Sequence, residues 1–349
     1  QAISDLGIPV HIVPKFPPPR WRSTRFEVLR FLAKLLYRLI YVVRLYSLFR
    51  RCRPQMAFLN TLLSSGATIA ARLSGLPVVT SLHEYRLRFS LTSSMRRWVV
   101  LHGAHHLITD SAAVKAVAVE YGANPSRITV THTGIGGSRL VLSDSAAILA
   151  QRQMWGVSSS DVVFGAAGAL VKNKGFQDLI AAAVEVSSAL PGSRVVVAGS
   201  VPEGEDVDFP QRLKEQVTTL RLGEVARFLG QVANMPLFFS AIDVFVIPSH
   251  DDAFPVVALE AMSMGKPVIG TEAGGLVEIV VPETTGLLVS PHRPDELAAA
   301  MVRLGGDRVL RQRMGKDGAE RVKTIFTQSA YIAAVEGVLE SIMNVLGEM

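Results

Sequence analysis

Two acids, Asp252 and Glu260, are separated by seven intervening residues within residues 248–275, PSHDDAFPVVALEAMSMGKPVIGTEAGG. In order, these residues read as a strand end, an acidic loop, an apolar helix, a Gly-Lys-Pro turn, a strand and a Gly-Gly turn. Pro255 suits the first turn of that helix, where a missing N–H costs nothing. Glu260 is the only charge among Val256, Val257, Leu259 and Met262. A carboxylate on so apolar a helix must be paired or must face a ligand, because burying it alone is costly. The amides at the helix start, together with its dipole, favour an anion nearby. Gly274-Gly275 either lets backbone approach that ligand or simply makes a tight turn.

A second candidate lies in residues 162–176, VVFGAAGALVKNKGF, which read as a strand, a glycine turn and the pair Lys174-Gly175. The turn does not fit a dinucleotide-binding fingerprint. Gly165 and Gly168 give G-x-x-G rather than G-x-G-x-x-G, and no strand-end acid follows at about 20 residues. A third candidate is His83, with Glu84 beside it, at the end of the strand in VVTSLHEY. The carboxyl end of a parallel strand is where α/β folds place ligands. His102, His105 and His106 have no acid at ligand spacing and read as packing residues, while Asp206 and Asp208 read as solvated acids in a loop.

The elements that must position these residues alternate between strand and helix nearly throughout, the pattern of an α/β protein with parallel sheets. Strands are predicted at residues 9–13, 55–60, 77–82, 106–109, 127–131, 162–168, 194–200, 226–230, 244–248 and 267–271. Helices are predicted at 26–51, 65–73, 95–101, 112–121, 176–190, 209–220, 236–242 and 255–264, with further helical segments from Pro294 onward. Consecutive prolines make residues 15–20, KFPPPR, a rigid loop.

At 349 residues the chain exceeds one hydrophobic core, so two domains are expected. The 49% apolar content argues for a globular chain. Cys52 is the only cysteine, which excludes an intramolecular disulfide and a cysteine-based zinc cluster. Charge is divided unevenly, at +13 over residues 1–150 and −7 over 151–349. Much of the positive charge falls within residues 20–53, which begin on Arg20 and end on Arg53, with Arg30, Lys34 and Arg38 spaced by four. Two readings of this segment stand side by side. One is a basic amphipathic helix on an anionic membrane surface; the other is a domain helix with a solvated basic face. Charges interrupt every window long enough to span a bilayer, and no nucleic-acid module is recognisable.

Residues 248–275 resemble the E-x7-E region of family 4 glycosyltransferases. The usual pattern there is P-S-x-x-E-x-F-P/G-x-x-x-x-E-A-M-A-x-G-x-P-V-[IV]-x-[ST]-x-x-G-G, and Asp252 stands at the first glutamate. The resemblance continues at Lys174 and Gly175, where the family writes G-R-L-x-x-x-K-G, although Ala169 occupies the arginine's place. Thr133 and Gly136 depart from the usual N-G-[IV]-D. The resemblance implies an α/β protein of GT-B fold, two Rossmann-like domains with parallel sheets facing a cleft. It also implies a retaining enzyme that moves a sugar from a nucleotide-sugar donor to a carbohydrate or lipid-linked acceptor. The donor is a substrate, so no separate cofactor and no metal ligand are expected. His83, Asp252 and Glu260 are then the catalytic candidates, with Glu260 on the ribose hydroxyls and Asp252 on the sugar hydroxyls. Donor binding falls to Gly168, Lys174, Phe254, Val256, Glu260, Gly274 and Gly275, with Lys174 supplying the cation for the diphosphate.

The glycines at 134–137 and the segment 143–160 read as the domain boundary and linker, with helical propensity around 146–154. By the resemblance, residues 1–142 form the acceptor-side domain, 161–328 the donor domain and 329–349 a crossover helix. The opening QAISDLGIPVHIVP reads as a helix end and a strand, so the family's first strand and Gly-rich turn are expected to be missing. A cytoplasmic location, peripheral on the inner face of the membrane, goes with a lipid-linked acceptor. The alternative kept open is a non-catalytic GT-B protein that binds a nucleotide or a partner, with a nucleotide-sugar epimerase more distant.

Overall fold

The computed structural model describes residues 27–83, 91–136, 143–158 and 160–347. The expected strand at 9–13, the proline loop at 15–20, Glu84 and the start of the basic segment lie outside them. The chain divides into two compact units. Among the described residues, the first comprises those up to Thr109, Lys115–Thr129 and those from Val338 on; the second comprises Asp110–Val114 and Val130–Gly337.

The first unit carries α1 (Glu27–Cys52), β1 (Ala57–Asn60), α2 (Ser65–Leu73), β2 (Val78–Leu82), α3 (Leu91–Gly103) and β3 (His106–Thr109). Most of α4 (Ala112–Glu120) and β4 (Ile128–Val130) follow. Its strands form a parallel sheet in the order β1-β2-β3-β4. Every residue of β2 is buried, as expected for a strand covered on both faces. Helix α1 packs closely on α2 at Gly66, where a Cβ would stand 3.0 Å from the Tyr41 ring.

The second unit is doubly wound. It contains α5 (Ser145–Met154), β5 (Val163–Ala167), α6 (Phe176–Ala189), β6 (Arg194–Ala198), α7 (Phe209–Thr219) and β7 (Ala226–Gly230). It continues with α8 (Met235–Ala241), β8 (Val244–Ile247), α9 (Val256–Ser263), β9 (Val268–Thr271), α10 (Leu276–Ile279) and β10 (Gly286–Val289). Helices α11 (Pro294–Gly306), α12 (Arg308–Ile325) and α13 (Gln328–Gly347) close the chain. The parallel sheet has the order β10-β9-β8-β5-β6-β7.

Successive residues of each strand point to opposite faces. Phe164, Val195, Val197, Val244, Val246 and Ile269 join the core under α6, α7 and α11. Val163, Val196, Phe245, Ile247 and Val268 join the core under α8, α9 and α10. Gly165 is small because α8 and the residue after it lie close: a Cβ there would stand 2.7 Å from Ile242 and 3.1 Å from Phe238.

Three expectations need correction. The segment 143–160 is not a linker. It folds as α5 and a following loop, with Trp155 and Val157 buried in the second unit's core. Arg152 fastens it by donating to Ala241 O, Asp243 Oδ2 and Ser158 O, each at 3.1 Å. The boundary therefore falls near Thr129, before the glycines at 134–137. Ile135 N–H donates to Phe326 O at 2.9 Å, and a Cβ on Gly134 would overlap Thr327 O. Finally, α10 and β10 were not expected. A one-turn helix and a four-residue edge strand are too short to show a period in sequence.

Candidate functional site

The strand order of the six-stranded sheet reverses between β5 and β8. From that point the connections leave toward opposite faces and open a crevice beyond the carboxyl ends of the strands. A cavity of about 700 Å³ lies there. Gly168 and Ala169 after β5, Gly199 and Ser200 after β6, and Ser249 and Asp252 after β8 line it. Phe254, Val256 and Val257 add the start of α9, and Lys174 adds the turn before α6.

Backbone contacts fix the floor. Gly168 N–H donates to Ala198 O at 3.0 Å, and Gly199 N–H donates to Gly230 O at 2.8 Å. A Cβ on Gly199 would overlap Gly168 O, so glycine lets the two strand ends approach.

Lys174 ends a short 3-10 turn closed by Gly175 at φ +68°. A Cβ at Gly175 would also overlap Pro248 O. Across this close approach His250 N–H donates to Asn173 O at 2.8 Å, and Asn173 Nδ2 donates to Asp251 Oδ1 at 2.9 Å. The loops of Lys174 and Asp252 are thus laced together, and the two side chains meet with Lys174 Nζ 2.5 Å from Asp252 Oδ2. Both are largely buried, with 26% and 15% of their side-chain surface exposed.

Helix α9 begins after Pro255 without a side-chain cap. Val256 and Val257, in its first turn, line the cavity, so the helix start offers amides to an anion there. Glu260 is one turn further along the same face, four residues from Val256. It does not line the cavity. Its carboxylate makes no hydrogen bond or ion pair with another described residue, and burial raises its pKa above the ordinary 4.5.

The Gly274-Gly275 turn acts from behind. Gly275 N–H donates to Asp252 O at 2.9 Å. A Cβ on Gly274, whose φ is +58°, would overlap Asp252 O, and one on Gly275 would overlap Ala253 O. These glycines hold the Asp252 loop rather than line the cavity. Glu278 ties the next turn down. It accepts from His132 Nε2 at 2.9 Å and from the N–H groups of Ala112 and Ala113 at 3.0 and 3.3 Å. Burial pushes its pKa up, but the hydrogen bonds from His132, Ala112 and Ala113 outweigh it and leave the pKa lowered.

Gly168, Lys174, Asp252, Phe254 and Val256 are therefore brought together, with Glu260, Gly274 and Gly275 behind or beside them. His83 belongs to the first unit, where it follows β2 and its Nε2 lies 3.1 Å from Ser81 Oγ. Among the described residues, the other histidines of that unit have separate local partners. His102 Nδ1 is 3.0 Å from Trp98 O, His105 Nδ1 accepts from Val78 N–H at 2.9 Å, and His106 Nε2 is 2.8 Å from Thr129 Oγ1. Asp206 pairs with Arg212 at 2.5 Å on the surface. Sequence reasoning passed over Gly199, Ser200, Gln231 and Met235 of the cavity lining. A glycine at the carboxyl end of the strand predicted at 194–200 was the available signal for Gly199.

Comparisons with known proteins agree with this geometry. The family profile described as "Glycosyl transferases group 1" matches residues 148–321, and that described as "Glycosyltransferase Family 4" matches residues 1–138. D-inositol 3-phosphate glycosyltransferase of Kribbella flavida is 31% identical over 231 residues, covering 64% of this chain and 54% of the relative. The enzyme of the same name from Kineococcus radiotolerans is 31% identical over 239 residues, with the same coverage. The chain spans about half the length of these relatives. Among solved structures, Anabaena HepE in complex with UDP and glucose superposes with a TM-score of 0.82 at 24% identity, over 97% of this chain and 88% of that one. Sucrose-phosphate synthase from Thermosynechococcus elongatus gives 0.76 at 23% identity, over 93% and 80%. These likenesses establish the fold, two parallel-sheet Rossmann-like units of the GT-B type.

Proposed function

The chain belongs to the family 4 glycosyltransferases, and we propose from that premise that it moves a sugar from a uridine diphosphate sugar to a hydroxyl-bearing acceptor. We assign the transfer retention of configuration and no bound metal. The observation that carries this reading is the Lys174–Asp252 pair in the cavity at the β5/β8 switch point. Lys174 and the uncapped start of α9 supply positive charge where a diphosphate would lie. Asp252 stands beside them as an acceptor for sugar hydroxyls. Uridine is named because HepE was solved with UDP and with UDP-glucose.

The donor's entry exchanges partners. Its diphosphate takes over Lys174, and Asp252, released from the lysine, turns to the sugar. Glu260, half-buried and without a hydrogen-bond or ion-pair partner among the described residues, accepts from the ribose hydroxyls. As the glycosidic bond breaks, charge gathers on the leaving phosphate, where Lys174 and the amides of Val256 and Val257 stabilise it. That phosphate assists deprotonation of the acceptor, so no side chain need act as nucleophile. His83 is assigned to hydroxyl groups of the sugar or acceptor. Calorimetric titration of the intact chain with UDP, GDP and ADP tests the reading: UDP binds at one site, and binding of none of the three would refute it.

Ala169, which lines the cavity where the family pattern has arginine, favours a second reading, a GT-B protein that binds the nucleotide without transfer. Release of UDP from a bound UDP-sugar on adding acceptors would exclude it.

We further assign the acceptor to a lipid-linked sugar at an anionic membrane surface. Leu36, Leu39 and Val43 of α1 are exposed at 57%, 59% and 52%, a stripe opposite the buried Leu45. Arg38, Arg50 and Arg51 are exposed on the same helix. Among the described residues, no helix is long and apolar enough to cross a membrane. Sedimentation with anionic vesicles should carry the chain down, less so as salt screens the charges. Equal binding to neutral vesicles, or none to either, removes this part.

A further inference from the structure

Outside the cavity, three side chains from three separate segments of the second unit converge. Asp178 lies in the first turn of α6, His250 in the loop after β8 and His292 in the loop after β10. One ligand atom from each can be chosen so that all lie within 4.8 Å of one another. His250 Nε2 is 2.7 Å from Asp178 Oδ2, and the rings of His250 and His292 have centroids 3.6 Å apart with a 39° tilt. Gln177 Nε2 completes the surroundings, 3.5 Å from His250 Nε2. His250 and Asp178 are largely buried, whereas His292 is exposed and leaves the group open to solvent on one side.

We propose that Asp178, His250 and His292 bind a divalent transition-metal ion of the zinc class. Two imidazoles and one carboxylate form a borderline-soft ligand set that suits zinc and its neighbours, while magnesium and calcium prefer oxygen alone. Around a tetrahedral ion, ligand atoms stand about 3.3 Å apart, as bonds of roughly 2.0–2.1 Å require. The His250–Asp178 contact opens slightly to admit the ion, and a His292 nitrogen already within 4.8 Å of both partners closes on it. His292 has a φ of +62°, a conformation that glycine adopts more readily, yet the chain places an imidazole there, against His250. A solvent molecule would take the fourth position.

The ion would act on the cavity through its walls. His250 N–H donates to Asn173 O, next to Lys174, and His250 is two residues before Asp252. Binding would therefore clamp the Lys174 loop to the Asp252 loop and to the start of α6. This is a structural clamp that supplies no chemistry to the transfer, and it stands whether or not the transfer does.

The test uses the tag-free chain, stripped with chelator and titrated calorimetrically with zinc chloride and with magnesium chloride. Zinc should bind at one equivalent and magnesium should not bind. Cobalt(II) should show the visible absorption of a low-coordinate site. His292→Gly suits the positive φ and keeps the fold, checked by circular dichroism. It and Asp178→Asn should each weaken zinc binding by about tenfold or more, since even outer-shell partners cost that much, and should dim the cobalt bands. Absence of stoichiometric zinc binding, or zinc and cobalt binding unchanged in both variants, would overturn the site and leave only a hydrogen-bonded His–Asp pair.

Discussion

Lys174 and Asp252, 78 residues apart in the chain, form an ion pair of 2.5 Å within the switch-point cavity. The pair means that the diphosphate must compete with Asp252 for Lys174. Asp252→Asn removes the competitor and a repulsive charge, so UDP alone should bind more tightly, by about five- to tenfold for an interaction of roughly 1–1.4 kcal/mol. Sugar transfer by the same variant should fall, because the carboxylate no longer orders the sugar. Titration with UDP beside a transfer assay with UDP-glucose checks both; weaker UDP binding in the variant would contradict the competition.

Ala169 lines the same cavity. An arginine there would add charge-assisted hydrogen bonds, each worth about 1.5–3 kcal/mol, to the diphosphate. Ala169→Arg should tighten UDP binding by about ten- to a hundredfold. An unchanged dissociation constant would show that the phosphates do not pass that position.

Glu260 links function to stability. Burial raises its folded pKa above 4.5. A carboxyl raised in this way stabilises the fold below its unfolded pKa, and that stability is lost as pH rises through the folded pKa. Glu260→Gln should therefore have the higher Tm at neutral pH, with the two curves converging as pH falls to about 4.5 and below. The variant should also bind donor more weakly. A Tm difference that is independent of pH would contradict the burial argument.

Much of this was legible because charge, period and turn chemistry are local. A lone Glu260 among apolar helix residues pointed to a buried acid, and Gly168, Lys174 and Phe254 stood beside strand ends and a helix start. The boundaries of β3 and α2 coincide with their predicted ranges. What escaped the reading is contact across the chain. The pairing of Lys174 with Asp252 depends on Gly175 seating against Pro248 O. Asp178, His250 and His292 meet only because the segments following β5, β8 and β10 end side by side. The 143–160 segment misled because its short polar residues resemble a linker, while Arg152 and Trp155 anchor it to the second unit.

Gly274 tests the support behind Asp252. Its φ is +58° and an added Cβ would overlap Asp252 O. Gly274→Ala should destabilise the protein by about 1–3 kcal/mol and reduce sugar transfer more than UDP binding, because the displaced carboxylate faces the sugar. Denaturant unfolding with a transfer assay measures both; full stability and full transfer would show that the turn does not hold the loop.

The central claim is that the diphosphate of a nucleotide sugar is held on Lys174. Calorimetric titration of the intact chain and of Lys174→Ala with UDP tests it most directly. The claim requires one-site binding by the parent and a loss of about tenfold or more in the variant, as removal of a charge-assisted hydrogen bond entails. Equal UDP affinity in the two proteins would contradict it.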